Sequence, residues 1–457
     1  MKILLFGAGR YYEKYKLWFR HECIVAIADN DEKKWGTYVD GVLIINPEVY
    51  HRYTFDRIYI LSLHYRAISS QLLSLGIPAD IIYNYLDIYR TLVRDKDLSW
   101  SKPLLTKGKT AALLVSHDLS LTGAPMALFH ASKILKNNGY NVIVASPVDG
   151  PLRFNYEENG IDVSIDPYWN IAELNDYPFI KNFTFIMINT KMMWHLLRNY
   201  AEGCPVIWWL HEPKSLYHET DCIYLSAVSI QNVYCYAVSS IAANSFIKYR
   251  PKWNVDILPI GITDVNIISK CNQRKMSKLV FALIGTFYPI KAQNIFIDAI
   301  EMLQARGYQN CEFFLIGKAF DDNYSNNIKQ RAISMPDVRI WGEIEHGKIH
   351  ELFSDISVLV CASLEETFSI VAVEAMMHGV PCLVTETTGI SEYITPYKDG
   401  LVCYAGSASK LADEMIWLME HRDYLPQMGI NARKIFETNF SYKILEKNIL
   451  NILHGLK

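Results

Sequence analysis

Residues 366–374 have the sequence ETFSIVAVE and follow an apolar run at 356–361. The apolar run predicts a buried parallel strand, and residues 369–378 predict a helix that begins directly after the loop. The first N–H groups of a helix lack partners and carry partial positive charge, which favours a bound phosphate. Two carboxylates flank this point, Glu366 in the loop and Glu374 inside the helix, and carboxylates accept hydrogen bonds from sugar hydroxyls. The stretch therefore predicts a nucleotide-sugar site.

The composition is that of a multidomain globular protein. At 457 residues we expect about three domains, and a net charge of -3 gives no reason to expect nucleic acid as a partner. The nine cysteines have no CxxC spacing, so we expect free thiols in a reducing cytosol. We expect no signal peptide, because Gly7 follows the start too closely, and no apolar run approaches the ~20 residues that a membrane-spanning helix needs.

Strands and helices alternate along the chain, which predicts doubly wound parallel sheets. Two such units in tandem predict a cleft, and ligands of these sheets bind at the carboxyl ends of the strands. A polar run at 269–277 predicts a hinge between the two units. The predicted divisions are an N-terminal Rossmann-like domain at 1–95, a linker at 96–109, an N-side domain at 110–265, a C-side domain at 278–440, and a C-terminal helix at 441–457 that can pack back on the N-side domain.

The N-terminal unit opens like a dinucleotide-binding fold. Residues 2–6 predict a strand, 7–9 (GAG) a tight turn, and 23–28 a second strand that ends at Asp29, an acid about 20 residues after the turn. The third glycine position of the fingerprint holds Tyr12, and we expect a side chain there to hinder close helix packing and the approach of a pyrophosphate. Nucleotide binding and a structural, docking or oligomer-forming role both stay open for this unit.

Candidate site residues fall where predicted strands end, at Gly123, His211, Gly285, Glu366 and Gly389. Gly123 lies in a loop predicted at 119–125, before a helix predicted from about 126 to 138, and His211 follows a strand predicted at 206–210. Each candidate also has an ordinary structural explanation: an acid can be a solvated or capping residue, a lysine can begin a surface helix, and a histidine can be a satisfied core residue. Asp118 and Glu212 adjoin these positions and are further candidates.

Three motifs together carry a resemblance to a known family. Residues 366–374 match an E-x7-E motif, residues 285–291 match a G-(R/T)-x4-K loop, and the pair TGISE at 388–392 and DGLV at 399–402 resembles G-G-x-x-E followed by G-L-L-V. Their order and spacing resemble those of the GT-B glycosyltransferases of family 4 (glycosyl transferases group 1), over about three quarters of the chain. The resemblance implies a GT-B fold, with two doubly wound Rossmann-like domains facing a cleft, the N-side domain for the acceptor and the C-side domain for the nucleotide-sugar donor. It also implies retaining, metal-independent transfer of a hexosyl group from a nucleoside-diphosphate sugar, with no other cofactor.

The resemblance also implies a role for individual residues. Glu366 contacts the transferred sugar, His211 faces the donor sugar, Lys291 stabilises the leaving diphosphate, and Glu374 accepts hydrogen bonds from the ribose. The implied catalytic set is Glu366, His211 and Lys291, and the implied donor-binding set is Gly123, Gly285, Thr286, Lys291, Phe368, Ser369, Ile370, Val371 and Glu374.

Two positions depart from the family pattern. Thr286 stands where many members have arginine, so we expect Lys291 to carry more of the phosphate stabilisation. Thr388 stands where the first glycine of a pair is common, so we expect that loop to lie less close to the phosphate. Asp29 and Asp31 have D-x-D spacing, which other glycosyltransferases use for a metal, but they lie in the N-terminal unit.

The setting that the resemblance implies is cell-surface polysaccharide or glycoconjugate synthesis, with a saccharide or lipid-linked saccharide as the acceptor. We expect a cytoplasmic protein that can lie at the inner face of a membrane. The basic, aromatic stretch at 248–253 can contact anionic lipid or form a solvated face. A GT-B nucleotide-sugar epimerase, a sugar phosphorylase and a non-catalytic partner in a glycosylation complex are the alternatives.

Overall fold

The structure is a computed structural model. It describes residues 1–20, 22–62, 64–85, 110–170, 172–177, 179–200, 203–217, 225–228, 230–265 and 278–456. These residues form three sheets, parallel throughout except for one antiparallel pair in the first. The predicted α/β class is therefore confirmed. The predicted linker and hinge run lie outside the described residues.

The first sheet has six strands in the order β3-β4-β2-β1-β5-β6. Its antiparallel hairpin, β3–β4, is absent from the sequence predictions, although the turn Asp40-Gly41 has the positive φ angles (47° and 78°) that Asp-Gly favours in a two-residue hairpin. Its elements are β1 Lys2–Phe6, α1 Arg10–Tyr15, β2 Cys23–Ala28, β3 Tyr38–Val39, β4 Val42–Ile45, β5 Arg57–Ile60, α2 Tyr65–Ser74 and β6 Ile82–Asn84.

Tyr12 occupies the third glycine position, and its expected effect on helix packing and on a bound pyrophosphate stays a prediction. Its ring is buried, 2% exposed, and its hydroxyl donates to Asp40 Oδ2 at 3.1 Å. The side chain thus packs in the core. After α1 the chain continues as a 3-10 turn, Lys16–Phe19, and Trp18 and Phe19 lie in one apolar core with the second sheet.

The second sheet has seven parallel strands in the order β13-β12-β11-β10-β7-β8-β9. Strands β7, β10 and β11 are fully buried, because helices cover both faces of a doubly wound sheet. Its elements are β7 Ala111–Val115, α3 Gly123–Asn137, β8 Asn141–Ser146, α4 Leu152–Glu158, β9 Asp162–Ile165, β10 Phe185–Asn189, β11 Val206–Leu210, β12 Val233–Ala237, α5 Ser240–Ile247 and β13 Val255–Ile257.

The third sheet has six parallel strands in the order β16-β15-β14-β17-β18-β19. The switch in strand order lies between β14 and β17, which places the loops after these two strands side by side. Its elements are β14 Leu279–Ile284, α6 Gln293–Ala305, β15 Cys311–Ile316, α7 Asp322–Ala332, β16 Val338–Gly342, α8 His346–Leu352, β17 Val358–Cys361, α9 Ile370–Met377, β18 Cys382–Thr385, β19 Gly400–Cys403, α10 Ala408–Glu420 and α11 Leu425–Ile435.

The last helix, α12 Tyr442–Gly455, returns to the second sheet. Asn138, after α3, donates from Nδ2 to Glu446 Oε1 at 2.7 Å. Ile262 donates to the Phe440 carbonyl at 2.9 Å and accepts from Tyr442 N at 2.8 Å. These two hydrogen bonds join the segment that precedes the third sheet to the segment that follows it. No helix within the described ranges is long and apolar enough to cross a bilayer.

Candidate active site

The carboxylate loop connects β17 to α9, at the switch point of the third sheet. Glu366 lies in the loop and Glu374 lies in the second turn of the helix, as predicted, and Glu374 is only 5% exposed. Ser369 precedes the helix with extended backbone, φ −145°, and no side chain caps it. The first N–H groups of α9 therefore remain available to an anion.

Lys291 forms an ion pair with Glu366 through Nζ and Oε2. Leu364 N donates to Ile290 O at 2.8 Å, which ties the two loops together, and Ser363 Oγ donates to the same Glu366 oxygen at 3.3 Å. Burial alone would lower the pKa of Lys291, but the charge and hydrogen bond of Glu366 outweigh it and raise that pKa. Lys291 is therefore a charged ammonium, held by Glu366 in the loop that precedes α9.

Backbone hydrogen bonds fix the Glu366 main chain. Its N–H donates to Thr387 O at 3.1 Å, and its carbonyl accepts from Gly389 N at 2.9 Å. Thr388 is fully buried, and its hydroxyl lies 3.0 Å from that of Thr385. The departure at Thr388 therefore places its methyl and hydroxyl in the protein interior, away from the cleft.

A seam of hydrogen bonds joins the second and third sheets beside Glu366. Thr367 Oγ1 donates to the His211 carbonyl at 2.7 Å, and Ser239 Oγ donates to the Thr367 carbonyl at 2.5 Å. A Cβ on Gly389 would lie 2.0 Å from Thr367 O and 2.7 Å from Ser239 Oγ. Glycine is therefore the residue that lets the three segments meet.

A second contact across the cleft is made by Glu392, which accepts from Ser240 N at 3.0 Å and from Ser240 Oγ at 2.6 Å. Ser215 N likewise donates to Glu365 at 3.1 Å. Sequence reasoning missed the serines, because a serine after a strand carries no signal for a partner about 150 residues away. Glu392 lies in the TGISE motif, which was the available signal.

His211 follows β11 and its ring borders this seam. Burial first, and the neighbouring His117 second, lower the pKa of His211 to about 3, so the ring is neutral near pH 7. Its Nε2 atom is buried, as is Nδ1 of His117, and neither has a hydrogen-bond partner among the described residues. The two imidazoles thus present unsatisfied polar atoms at the carboxyl ends of β7 and β11.

Glu212 and Asp118 have structural partners. Glu212, 4% exposed, accepts from Lys191 N at 2.7 Å and from His211 N at 3.0 Å, which fixes the strand-end backbone. Asp118 accepts from Ser120 N at 3.0 Å and from its hydroxyl at 2.8 Å and shapes the loop before α3.

Gly123 is the first residue of α3, whereas the sequence predicted a loop there and a helix from about 126. The helix begins earlier because Pro125 lies in its first turn, where the missing N–H removes no intrahelical hydrogen bond. A Cβ on Gly123 would lie 3.5 Å from Ile370 Cδ1. The start of α3 thus faces the start of α9 across the cleft.

Phe368 belongs to the predicted donor-binding set, but its side chain packs into the core. It is 4% exposed, and its ring packs edge-on against Phe440 with centroids 5.5 Å apart, so only its backbone can face a ligand. Thr286 is exposed. Gly285 is close enough to Lys291 that a Cβ would lie 3.9 Å from Lys291 Cδ, and Val371 lies with Ile370 in the first turn of α9.

The remaining candidates lie away from the cleft. Asp321 caps α7 by accepting from Tyr324 N at 3.0 Å. Trp253, which was a candidate for lipid contact, is buried at 7% exposure against Trp208 and Phe246. Within the described ranges no three His, Cys, Asp or Glu side chains form a cluster that could hold a metal ion.

Comparison with known proteins agrees with this architecture. Residues 107–275 match the family Glycosyl-transferase family 4, residues 264–435 match Glycosyl transferases group 1, and residues 1–83 match C2185-like, N-terminal. Among solved structures, Anabaena HepE in complex with UDP and glucose aligns with a TM-score of 0.62 at 18% identity, over 76% of this chain and 100% of that one.

Curated relatives match shorter segments. N-acetyl-alpha-D-glucosaminyl L-malate synthase of Bacillus anthracis is 33% identical over 100 residues, 22% of this chain and 26% of its own length. The capsular polysaccharide biosynthesis glycosyltransferase CapM of Staphylococcus aureus is 23% identical over 168 residues, 36% of this chain and 43% of its own length. The chain spans about half or less of the length of the curated relatives it matches.

The three matched segments follow one another along the chain and coincide with the three sheets. The carboxylate loop, the Lys291 loop and the His211 strand end meet in the cleft between the second and third sheets. From residue 107 to residue 435, this chain belongs to the GT-B glycosyltransferases of family 4 and group 1, preceded by a C2185-like N-terminal domain.

Proposed function

We propose that this protein is a retaining glycosyltransferase that moves a sugar from a nucleoside-diphosphate sugar to a hydroxyl acceptor. The observation that carries the proposal is the convergence of Glu366, Lys291, His211 and the uncapped start of α9 at one point of the cleft. An anion site, a fixed cation and a carboxylate are the groups that a nucleotide-sugar requires.

The diphosphate would lie between the N-terminus of α9 and Lys291. The lysine is paired with Glu366, so donor binding would exchange that carboxylate for a phosphate oxygen and free Glu366 to accept from sugar hydroxyls. Glu374, one helical turn further on, would accept hydrogen bonds from the ribose. The lysine and the helix N–H groups would stabilise the leaving group without a metal.

The bond between the anomeric carbon and the diphosphate oxygen breaks, and a bond to the acceptor oxygen forms on the same face of the sugar. The acceptor proton passes to a phosphate oxygen of the leaving nucleoside diphosphate, so the products are a glycoside and the free diphosphate. A double displacement with Glu366 as the nucleophile is the less favoured route.

The N-side wall would bind the sugar rings. Nε2 of His211 and Nδ1 of His117 are buried polar atoms without partners in the described part of the chain, and leaving such atoms unpaired is unfavourable. Hydroxyls of the transferred sugar would satisfy them. Because the pKa of His211 is lowered to about 3, its ring would act as a neutral hydrogen-bonding group.

The comparisons support a choice of first substrates. The Anabaena structure contains UDP and glucose, so UDP-sugars are the first donors to test. CapM is named for capsular polysaccharide biosynthesis, which supports a role in cell-surface polysaccharide or glycoconjugate synthesis and a saccharide or lipid-linked saccharide acceptor.

A thermal-shift panel of nucleoside diphosphates and their sugars tests the donor site. We expect the best nucleotide to raise the melting temperature of the wild type and to leave Lys291→Ala and Glu374→Gln unshifted. Lys318→Ala is the matched control, since Lys318 follows the adjacent strand β15 and is 68% exposed, and it should shift like the wild type. Equal shifts in all four proteins would refute the site.

Acceptor screening with the best donor then tests the reaction. Retention predicts the same anomeric configuration in product and donor, and metal independence predicts undiminished transfer in the presence of a chelator. Isomerised sugar from donor alone would indicate an epimerase, and the absence of nucleotide binding would indicate a non-catalytic partner; either outcome would overturn the proposal.

A further inference from the structure

The N-terminal sheet contains a cavity of about 460 Å³ that the transferase site does not use. It lies at the carboxyl ends of β1, β2 and β5, where the strand order of the sheet reverses, the position at which doubly wound sheets bind ligands. Phe6, Leu61 and Ile68 form an apolar wall, and Arg10, His64 and Gln71 are among the polar residues that line it.

The acid that a dinucleotide site would need is already occupied. Asp29 is 8% exposed, and its two oxygens accept from Ala8 N at 2.7 Å, Asp31 N at 2.9 Å and Lys34 Nζ at 3.0 Å. Asp29 therefore fixes the glycine turn and neutralises Lys34. It has little capacity left to accept from a ribose, so the dinucleotide fingerprint is not functional in its usual form.

The negative charge of Asp29 and the positive charge of Lys34 cancel. The remaining residues that line the cavity then carry a positive formal charge. Arg10 is exposed at the cavity mouth and makes no ion pair or side-chain hydrogen bond with the described residues. His64 lies at the start of α2, which no side chain caps. A guanidinium without a partner beside an uncapped helix start favours an anion.

Gly7 and Gly9 have different reasons to be glycine. Gly7 has φ +107°, and a Cβ there would lie 2.9 Å from Leu61 O, so the fold itself requires glycine. Gly9 has φ −120°, which any residue adopts, and a Cβ there would meet nothing within 4 Å. The fold does not need glycine at position 9, and its missing side chain leaves the cavity open beside Arg10.

We propose that this cavity binds a phosphorylated small molecule of mononucleotide size. The phosphate would contact Arg10 and the start of α2, and the less polar part of the ligand would lie on Phe6, Leu61 and Ile68. Asn30 and Gln71 pair reciprocally, Nδ2 to Oε1 at 3.0 Å and Nε2 to Oδ1 at 2.9 Å, which closes one side of the mouth and leaves each amide a further N–H for the ligand.

Hydrogen exchange of the full chain, measured by mass spectrometry, tests the proposal because it reports each site separately. The probes are uridine monophosphate, adenosine monophosphate and inorganic pyrophosphate at millimolar concentration. We expect at least one probe to protect peptides covering 5–12 and 64–72, and this protection should persist in Lys291→Ala, which removes only the proposed donor site. Loss of the cleft signal alone would therefore leave this proposal standing.

Two variants localise the ligand. Arg10→Ala should weaken the N-terminal protection by about tenfold in probe concentration, because it removes a charge-assisted hydrogen bond. Arg66→Ala is the matched control, an exposed arginine of α2 outside the cavity lining, and should bind like the wild type. Gly9→Leu should fold with an unchanged melting temperature and lose the protection. The proposal would be overturned if no probe protected these peptides, or if Arg10→Ala and Gly9→Leu were protected as strongly as the wild type.

Discussion

Replacing Gly389 by alanine should disturb the candidate site without touching any titratable group. Gly389 donates to the Glu366 carbonyl at 2.9 Å and lies where the second and third sheets meet. Its added Cβ would lie 2.0 Å from Thr367 O and 2.7 Å from both Cβ and Oγ of Ser239. Thr367 is the residue after Glu366, so any relief of this contact must move the carboxylate loop.

The size of the effect follows from these distances. Real Cβ contacts essentially never fall below 3.0 Å, so the Thr367 carbonyl must move by about 1 Å, and a displacement of that size near reacting groups lowers turnover by ~10²-fold. Overpacking of this kind destabilises a protein by about 1–3 kcal/mol, which corresponds to a fall in melting temperature of roughly 2–10 °C. The hydrogen bond from Ser239 to Thr367 should be lost at the same time.

Thermal unfolding and single-turnover transfer from the best donor measure the two consequences. Gly347→Ala is the control, because a Cβ at that position would meet nothing within 4 Å, and it should retain both stability and activity. Wild-type stability and turnover in Gly389→Ala would show that the seam is not built as described.

Three further predictions concern other contacts. Ser240→Ala removes the 2.6 Å hydrogen bond to Glu392 across the cleft and should raise the radius of gyration measured by small-angle scattering without nucleotide; Ser391→Ala, whose hydroxyl donates to Glu386 O within the third sheet, should leave it unchanged, and equal radii would contradict the role of the seam. Burial raises the pKa of Asp166 to about 6, so the folded state binds a proton that the unfolded state releases near pH 4, and stability should fall as pH rises from about 4 to 6; Asp166→Asn should be more stable than the wild type by about 1–3 kcal/mol at pH 7.5 and equal at pH 4 in urea titrations, and a pH-independent difference would exclude this origin. Arg433, 13% exposed, pairs with Asp264 and Glu437, so Arg433→Met should destabilise the protein by about 2–4 kcal/mol, whereas Arg306→Met, which breaks an exposed pair with Asp413, should lose less than ~1 kcal/mol; similar losses would show that burial does not set the difference.

Much of the fold was predictable because its strands are apolar runs that end in polar or glycine residues. Strands 2–6, 23–28 and 206–210 and the helix after Glu366 were located from this pattern, and all are confirmed. The start of α3 was misplaced, because a proline was taken to precede the helix and it lies inside the first turn. The β3–β4 hairpin was missed because its strands are too short for an alternating pattern to register.

For the candidate site, too, the sequence predicted some features and missed others. The E-x7-E spacing places Glu366 before the helix and Glu374 inside it, and local geometry is enough for that prediction. Phe368 was grouped with the donor-binding residues because of its position in the motif, but its ring packs against Phe440. A motif records where a residue lies in the chain, whereas the direction of its side chain depends on what the rest of the chain brings against it.

By itself, the sequence determined the succession of α/β units, the motif order, and the loops that would meet at strand ends, because these depend on local periodicity and on the fixed geometry of parallel sheets. Only the tertiary structure decided that Lys291 pairs with Glu366, that Thr367 and Ser239 approach Gly389 closely, and that Asp29 accepts hydrogen bonds from the glycine turn. The contacts of Ala8 with Asp29, Lys291 with Glu366, and Ser239 with Thr367 join residues 21, 75 and 128 positions apart. Their geometry follows from how the sheets pack, and no local pattern encodes it.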